Sequence, residues 1–152
     1  MYFRFAGIEG IPKNPSIALQ IWSEARNKSG PGVVESTYSH AMCSLDGVGT
    51  DKDPSAAYKA LNQLCEEHNY GRAYYSIALM LMEGNGVPKN EKEAFSRLKQ
   101  AYEKNVPPAT YNLANCYAEG KGTGKNLEKA FELYELAVRQ AKFLLEKKSY
   151  PR

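Results

Sequence analysis

The chain carries the same short glycine turn three times, at almost constant intervals. Residues 47–49, 84–86 and 120–122 all read Gly-x-Gly, and they are separated by 37 and then 36 residues. The same offsets hold in columns on both sides of the turn: Tyr38, Tyr75 and Tyr111; Ala41, Ala78 and Ala114; Ala57, Ala94 and Ala130. Chance would not keep these separate sets of residues at matching intervals when the interval itself changes from 37 to 36 residues. The sequence is therefore an array of repeats, and a period of this length is typical of stacked supersecondary units.

Each copy divides into two apolar segments, a first one before the glycine turn and a second one after it. In the third copy, apolar residues of the second segment recur at spacings of three and four between Leu127 and Ala141. That period is typical of a helix with one buried face, and no alternating strand pattern competes with it. Asp53 and Asn126 are expected N-caps, and the first glycine of each turn suits a helix end that needs positive φ. The sequence predicts antiparallel helix hairpins.

The third copy resembles the Sel-1-like repeat, a relative of the tetratricopeptide repeat. Residues 109–122 read Ala-Thr-Tyr-Asn-Leu-Ala-Asn-Cys-Tyr-Ala-Glu-Gly-Lys-Gly, and Lys129-Ala130 follows. They match that family's pattern of small residue, leucine, small residue, tyrosine, Gly-x-Gly and Lys-Ala. The resemblance implies an all-α, right-handed superhelical solenoid of antiparallel helix hairpins. It also implies an adaptor or scaffold in protein complexes, with the first helices lining the concave wall.

We expect one solenoid domain over residues 1–152. Full repeats are expected at 36–68, 73–104 and 109–141, and residues 142–152 extend the last helix. Residues 1–30 are expected to form a partial N-terminal repeat, because only Met1–Ala6 stand where its first helix belongs. Either the array is truncated at that end, or another element covers Ile17, Ile21 and Trp22.

Charge and cysteine content limit the classes of partner. The 20 basic and 17 acidic residues give a formal charge of +3, which is too balanced to indicate nucleic acid. The apolar runs are far shorter than the roughly 20 residues that cross a membrane, and residues 1–15 lack the apolar region of a secretory signal. Three cysteines cannot all pair, so a reducing, cytoplasmic compartment is favoured. We expect no cofactor and no metal site.

Candidate partner-binding residues lie on the first helices. By analogy with tetratricopeptide arrays, the repeated tyrosine and the positions four and seven residues later face the groove. Aromatic and methionine side chains offer adaptable contact area, and an acidic residue ends each first helix. The predicted partner-binding residues are Tyr38, Met42, Leu45, Asp46, Tyr75, Leu79, Met82, Glu83, Tyr111, Asn115 and Glu119. The alternative is that the tyrosines pack between repeats and the acidic residues pair with nearby lysines.

The first full repeat is polar where its siblings are apolar. His40 and Ser44 stand where the other copies have aliphatic or aromatic residues, and Cys43 lies on the same helical face as His40. A nucleophile and base, or half a metal site, would need a third group, and none is visible. We therefore interpret the cluster as structural and predict no catalytic residues.

The expected function is a non-catalytic protein–protein interaction module. It would bind a partner peptide or helix along the concave surface, or a partner that covers the N-terminal face, with no membrane, nucleic acid or small-molecule substrate. One alternative is a hydrolase of the cysteine-rich Sel-1-like type. In that branch Cys65 would pair with a cysteine shortly beyond it, but Ala73 and Tyr74 stand there, and no Ser-x-x-Lys motif is present. The other alternative, a helical-repeat nucleic-acid binder, conflicts with the recurring acidic residues.

Overall fold

The computed structural model describes residues 32–149 together with Ile17, Gln20, Ile21 and Glu24. Between residues 32 and 149 six helices follow one another, and that part of the chain contains no strand. The helices are α1 (Val33–Asp46), α2 (Pro54–His68), α3 (Gly71–Glu83), α4 (Glu91–Glu103), α5 (Pro107–Glu119) and α6 (Leu127–Ser149). The four isolated residues are helical, but the predicted partial repeat over residues 1–30 otherwise lies outside the described residues.

Side chains adjacent in sequence set where the second helices begin. The Oδ1 atoms of Asp53, Asn90 and Asn126 each accept a hydrogen bond from the backbone N–H three residues later, at 3.1, 3.1 and 3.0 Å. This is the N-cap interaction, which satisfies a backbone donor that the helix itself leaves without a partner. The N-caps predicted at Asp53 and Asn126 are confirmed.

Glycine ends each first helix. Gly47, Gly84 and Gly120 follow α1, α3 and α5 with φ of 71°, 69° and 72°. In each case the glycine N–H closes the helix by bonding the carbonyl four residues earlier, at Cys43, Met80 and Cys116. Because a side chain is strained at this φ, glycine is the residue that allows the chain to turn there.

The double proline begins a helix rather than ending one. Because the residue before a proline avoids the helical conformation, the sequence alone predicts that Pro107 and Pro108 stop the preceding helix after Asn105. α4 ends at Glu103 instead, and both prolines lie in the first turn of α5. The first turn has no intrahelical use for its N–H groups, so proline is tolerated there and its fixed φ favours the helix.

The hairpins α1–α2, α3–α4 and α5–α6 stack in chain order and share one core. Leu61, Ile77 and Leu98 are its fully buried large side chains on successive helices. The repeated alanines at 41, 78 and 114, and at 57, 94 and 130, are all at most 2% exposed, so the helices approach closely there. The prediction of an all-α solenoid of antiparallel helix hairpins is confirmed.

The second glycine of the later two turns packs against the preceding hairpin. A Cβ at Gly86 would lie 2.6 Å from the Pro54 backbone, and a Cβ at Gly122 would lie 2.2 Å from the Glu91 carbonyl oxygen. Real side chains never approach so closely, so both turns pack directly on the N-terminal end of the preceding second helix. In the described part of the chain, no helix is both long and apolar enough to span a membrane.

Candidate partner-binding surface

One face of α3 keeps apolar side chains partly exposed. Tyr75, Leu79 and Met82 follow each other at spacings of four and three, which places them on the same side of the helix. Every other apolar side chain of α3 is buried. This face belongs to the middle hairpin, so it has a first helix on either side of it.

The tyrosine column connects successive first helices. The Tyr38 hydroxyl lies 3.1 Å from the Ser76 hydroxyl on α3, and Asn112 on α5 donates to the Tyr75 hydroxyl at 2.9 Å. Burial raises the pKa of both tyrosines above the ordinary value. These contacts support the alternative that Tyr38 and Tyr75 pack between repeats. They also place α1, α3 and α5 side by side, with the tyrosine side chains partly buried.

Tyr111, the third member of the column, is in a different environment. It is 55% exposed, and its ring packs against Tyr134 with centroids 5.7 Å apart. Among the described residues no hydrogen bond reaches its hydroxyl. The difference arises because no first helix follows α5 in the described stack to supply the partner that Ser76 and Asn112 supply earlier.

The other predicted partner-binding residues, which lie four or seven residues after the tyrosines, range from buried to half-buried. Met42 and Leu45 on α1 lie in the core, 5% and 9% exposed. Leu79, Met82 and Asn115 are half-buried, and Asn115 accepts a hydrogen bond from the Tyr134 hydroxyl. The accessible apolar part of the predicted groove is therefore concentrated on α3 and α5.

The acidic residues of the first helices form an exposed row. Asp46, Glu83 and Glu119 are the last residues of α1, α3 and α5. The predicted lysine pairing occurs at Glu119, whose Oε2 lies 3.0 Å from Lys121 Nζ in an exposed ion pair. Among the described residues no cation lies within 4.0 Å of the Asp46 or Glu83 carboxylate. A carboxylate at a helix C-terminus faces the negative end of the helix dipole, so a basic partner group would stabilise it.

The His40, Cys43 and Ser44 cluster is held by structural contacts. The Ser44 hydroxyl donates to the His40 carbonyl at 3.2 Å, and Cys43 is fully buried. Burial raises the pKa of the Cys43 thiol to about 12, and nearby Asp46 adds to the rise. The thiolate is the nucleophilic form, so this environment does not support covalent chemistry at Cys43. Cys65 and Cys116 are likewise buried and carry no disulfide.

Sequence reasoning missed a second apolar surface, on the last hairpin. A cavity of about 530 Å³ lies between α5 and α6, lined mainly by apolar side chains that include Pro107, Tyr111, Val138 and Leu144. The neighbouring positions of α6 are also exposed. Its signal in the sequence is the regular spacing of apolar residues along α6, but the prediction of partner-binding residues considered only the first helices. We call this surface the α6 face and define it by Leu127, Phe131, Tyr134, Val138, Ala141 and Leu145.

Two solved structures of similar fold come from bacteria. A protective antigen of uropathogenic Escherichia coli that displays an SLR fold superposes on 90% of this chain with a TM-score of 0.77 and 21% identity. A Sel1 repeat protein from Oxalobacter formigenes superposes on 90% of the chain with a TM-score of 0.72 and 24% identity. This chain spans 28% and 55% of those two proteins. At these identities the likeness concerns the fold. No curated protein matches the chain.

The sequence pattern agrees with the stacked hairpins. Four segments, residues 2–29, 34–69, 59–106 and 107–142, match the Sel1 repeat. Together they cover nearly the whole chain, and the last three coincide with the α1–α2, α3–α4 and α5–α6 hairpins. The chain belongs to the Sel1 repeat family, whose members generally serve as protein-interaction modules.

Proposed function

We propose that this chain is a non-catalytic adaptor that binds a peptide or helix of a partner protein along the concave surface formed by α1, α3 and α5. The observation that carries the proposal is the face of α3. Tyr75, Leu79 and Met82 are the apolar side chains that α3 leaves partly exposed, although its other apolar residues are buried. Apolar anchors at helical spacing are the usual means by which a groove holds an amphipathic segment.

The charges of the same surface specify the partner further. Glu83 follows the α3 face directly, and Asp46 takes the same place on α1 without an ion pair among the described residues. A partner segment with apolar residues toward the groove and lysine or arginine beside them would bury Leu79 and Met82 and pair with these carboxylates. Exposed pairs contribute little affinity, so the carboxylates would mainly select the orientation of the segment.

The position of the contact can be tested by crosslinking. A photoreactive amino acid at position 79 should capture the partner, whereas the same group at Ser96, an exposed residue of α4, should not. Mass spectrometry of the adduct would identify an apolar segment with flanking basic residues. Capture from position 96 with equal yield would place binding elsewhere on the molecule.

The charge contribution can be tested with a matched pair of substitutions. Glu83→Lys should weaken binding of the captured segment by about fivefold, because it replaces attraction by repulsion at the groove. Glu103→Lys makes the same change at the C-terminal end of α4, a second helix, and should leave affinity unchanged. Equal effects of the two substitutions would indicate a response to net charge and would contradict the proposed site.

A further inference from the structure

The α6 face is apolar and uncovered within the described chain. Leu127, Phe131, Val138 and Leu145 are 63–67% exposed. With Tyr134 and Ala141 between them, they recur at alternating spacings of four and three. That is the spacing of helices that pair side by side along their length.

The preceding hairpin shows what such a face normally contacts. The residues 36 positions before Leu127 and Phe131 are Glu91 and Phe95. The turn at Gly122 packs on Glu91, and the Tyr117 ring meets the Phe95 ring edge-on with centroids 5.4 Å apart. The α6 face is therefore a stacking surface that has no following hairpin in the described chain.

α6 continues past the position at which α4 ends. α4 ends at Glu103, and the chain then turns into α5. The corresponding position in α6 is Arg139, yet the helix continues unbroken to Ser149. α6 has 23 residues, whereas α4 has 13. Within the described residues, α6 therefore has no turn at this position that would begin another hairpin against its face.

The charges of α6 favour a second copy of the same helix. Its N-terminal half carries Glu128, Lys129, Glu132 and Glu135, three acidic residues and one basic. From Arg139 onward the balance of charge is reversed, because four basic residues stand against the single acidic Glu146: Arg139, Lys142, Lys147 and Lys148. Two such helices repel when parallel and attract when antiparallel.

We propose that the α6 face is the contact of a twofold-symmetric dimer of this chain, in which the two α6 helices pack antiparallel. Placing Val138 of one copy opposite Ala141 of the other sets the register. Tyr134 then faces Leu145 of the second copy, and Glu135 lies beside Lys142 of the second copy. The twofold axis makes each of these contacts occur twice.

The shape of the surface fits this register. Ala137 and Ala141 are small and line the cavity, whereas Leu144 and Leu145 project one to two turns later. Antiparallel packing in this register brings Leu144 of each copy beside Ala137 of the other. Among the described residues no donor reaches the buried Gln140 Oε1 in the same cavity. A single copy therefore leaves one buried acceptor of this cavity without a hydrogen bond.

The amount of surface predicts a weak, reversible dimer. Five apolar side chains of each copy lie within the overlap that this register gives: Tyr134, Val138, Ala141, Leu144 and Leu145. Together they would bury at most about 1,000 Å² over the two copies. That is near the lower limit for a specific interface, so a dissociation constant on the order of micromolar is expected. Tyr111 borders both this surface and the concave one. The residues substituted in the tests below lie on only one of the two surfaces, so the two proposals can be distinguished.

The oligomeric state tests the proposal directly. Sedimentation velocity of the full chain from low micromolar to submillimolar concentration should show a reversible monomer–dimer equilibrium. Val138→Glu should weaken dimerisation at least about tenfold, because it buries a carboxylate without a partner next to the axis. Ser96→Glu adds the same charge on exposed α4 and should leave the equilibrium unchanged. Unchanged helix content by circular dichroism would show that both variants fold.

Charge reversal tests the register. Glu135→Lys and Lys142→Glu should each weaken the dimer by about fivefold, and the double substitution should restore it to near the original constant. A monomer at all concentrations, open-ended assembly, a dimer insensitive to Val138→Glu, or a double variant no tighter than the single ones would overturn the proposal. Glu83→Lys on the concave surface should leave the dimer intact, so loss of partner binding and loss of dimerisation are distinguishable.

Discussion

Gly122 packs on the backbone of Glu91, the first residue of the second helix in the preceding hairpin. A Cβ at Gly122 would lie 2.2 Å from the Glu91 carbonyl oxygen and 2.8 Å from the Phe95 Cβ, and the residue has a φ of 73°. Both the contact and the backbone conformation therefore require glycine. The turn that defines the repeat in sequence is a contact between hairpins in structure.

Gly122→Ala should lower the free energy of unfolding by about 3 kcal/mol, from the strained φ and the displaced turn together. Gly124→Ala is the matched control. A Cβ there meets nothing within 4 Å, and the residue does not have positive φ, so its effect should stay within about 0.5 kcal/mol. Urea denaturation of the two variants measures both values. Equal destabilisation by Gly122→Ala and Gly124→Ala would contradict the packing of this turn against the preceding hairpin.

Tyr75→Phe should destabilise the chain by about 1 kcal/mol, because it removes the hydroxyl that accepts from Asn112 across the hairpin boundary. Asn112 keeps its bond to the Pro108 carbonyl, which limits the loss. Tyr111→Phe should have almost no effect on stability, since no described residue bonds that hydroxyl. Thermal unfolding would compare the two, and a larger effect at Tyr111 would contradict the assignment of the column to stacking.

Asn90→Ala should cost about 1 kcal/mol, because the Glu93 N–H loses its acceptor at the start of α4. Asn90→Asp is the control that keeps the cap, and its negative charge is favourable at a helix N-terminus. The aspartate variant should therefore be at least as stable as the original chain. Chemical denaturation that found both variants equally destabilised would show that the amide, rather than the cap, is required.

The three cysteines should resist alkylation in the folded chain. Burial raises the pKa of Cys43 to about 12, and those of Cys65 and Cys116 to about 11, so the thiolate is scarce at pH 8. Iodoacetamide should label all three thiols in urea and none at a comparable rate in buffer. Rapid labelling of one thiol in buffer would show that its surroundings open readily.

The same shifts predict how stability depends on pH. A thiol whose folded pKa lies above the unfolded value of about 9 binds its proton more tightly in the folded state. The contribution of such a thiol to the free energy of unfolding is fully present below pH 9 and is lost as the pH rises toward 11 and beyond. The free energy of unfolding should fall over that interval, and Cys116→Ala should make the fall shallower. A flat profile between pH 9 and 11 would contradict the burial of the thiols.

The fold could be predicted from local sequence patterns, whereas the candidate binding site could be predicted only in part. The hairpins, the Asp53 cap and the glycine helix ends depend on residues close together in sequence, and the structure agrees with the prediction at each of them. The boundary at Pro107 was misplaced because proline suits both the end of one helix and the start of the next. The groove residues remain a prediction, with Met42 and Leu45 now seen to be buried.

By itself, the sequence determined the period of the repeat, the helix type of each segment, and the glycines and N-caps at most of the helix ends. Tertiary structure decided which copies of a repeated residue meet solvent. Phe95 packs against Tyr117 while Phe131 is 64% exposed, and Tyr75 is bonded across a boundary where Tyr111 is not. Equivalent positions carry the same residue type, but exposure depends on whether another hairpin packs against them. That neighbour is distant in sequence, so the period alone does not reveal it.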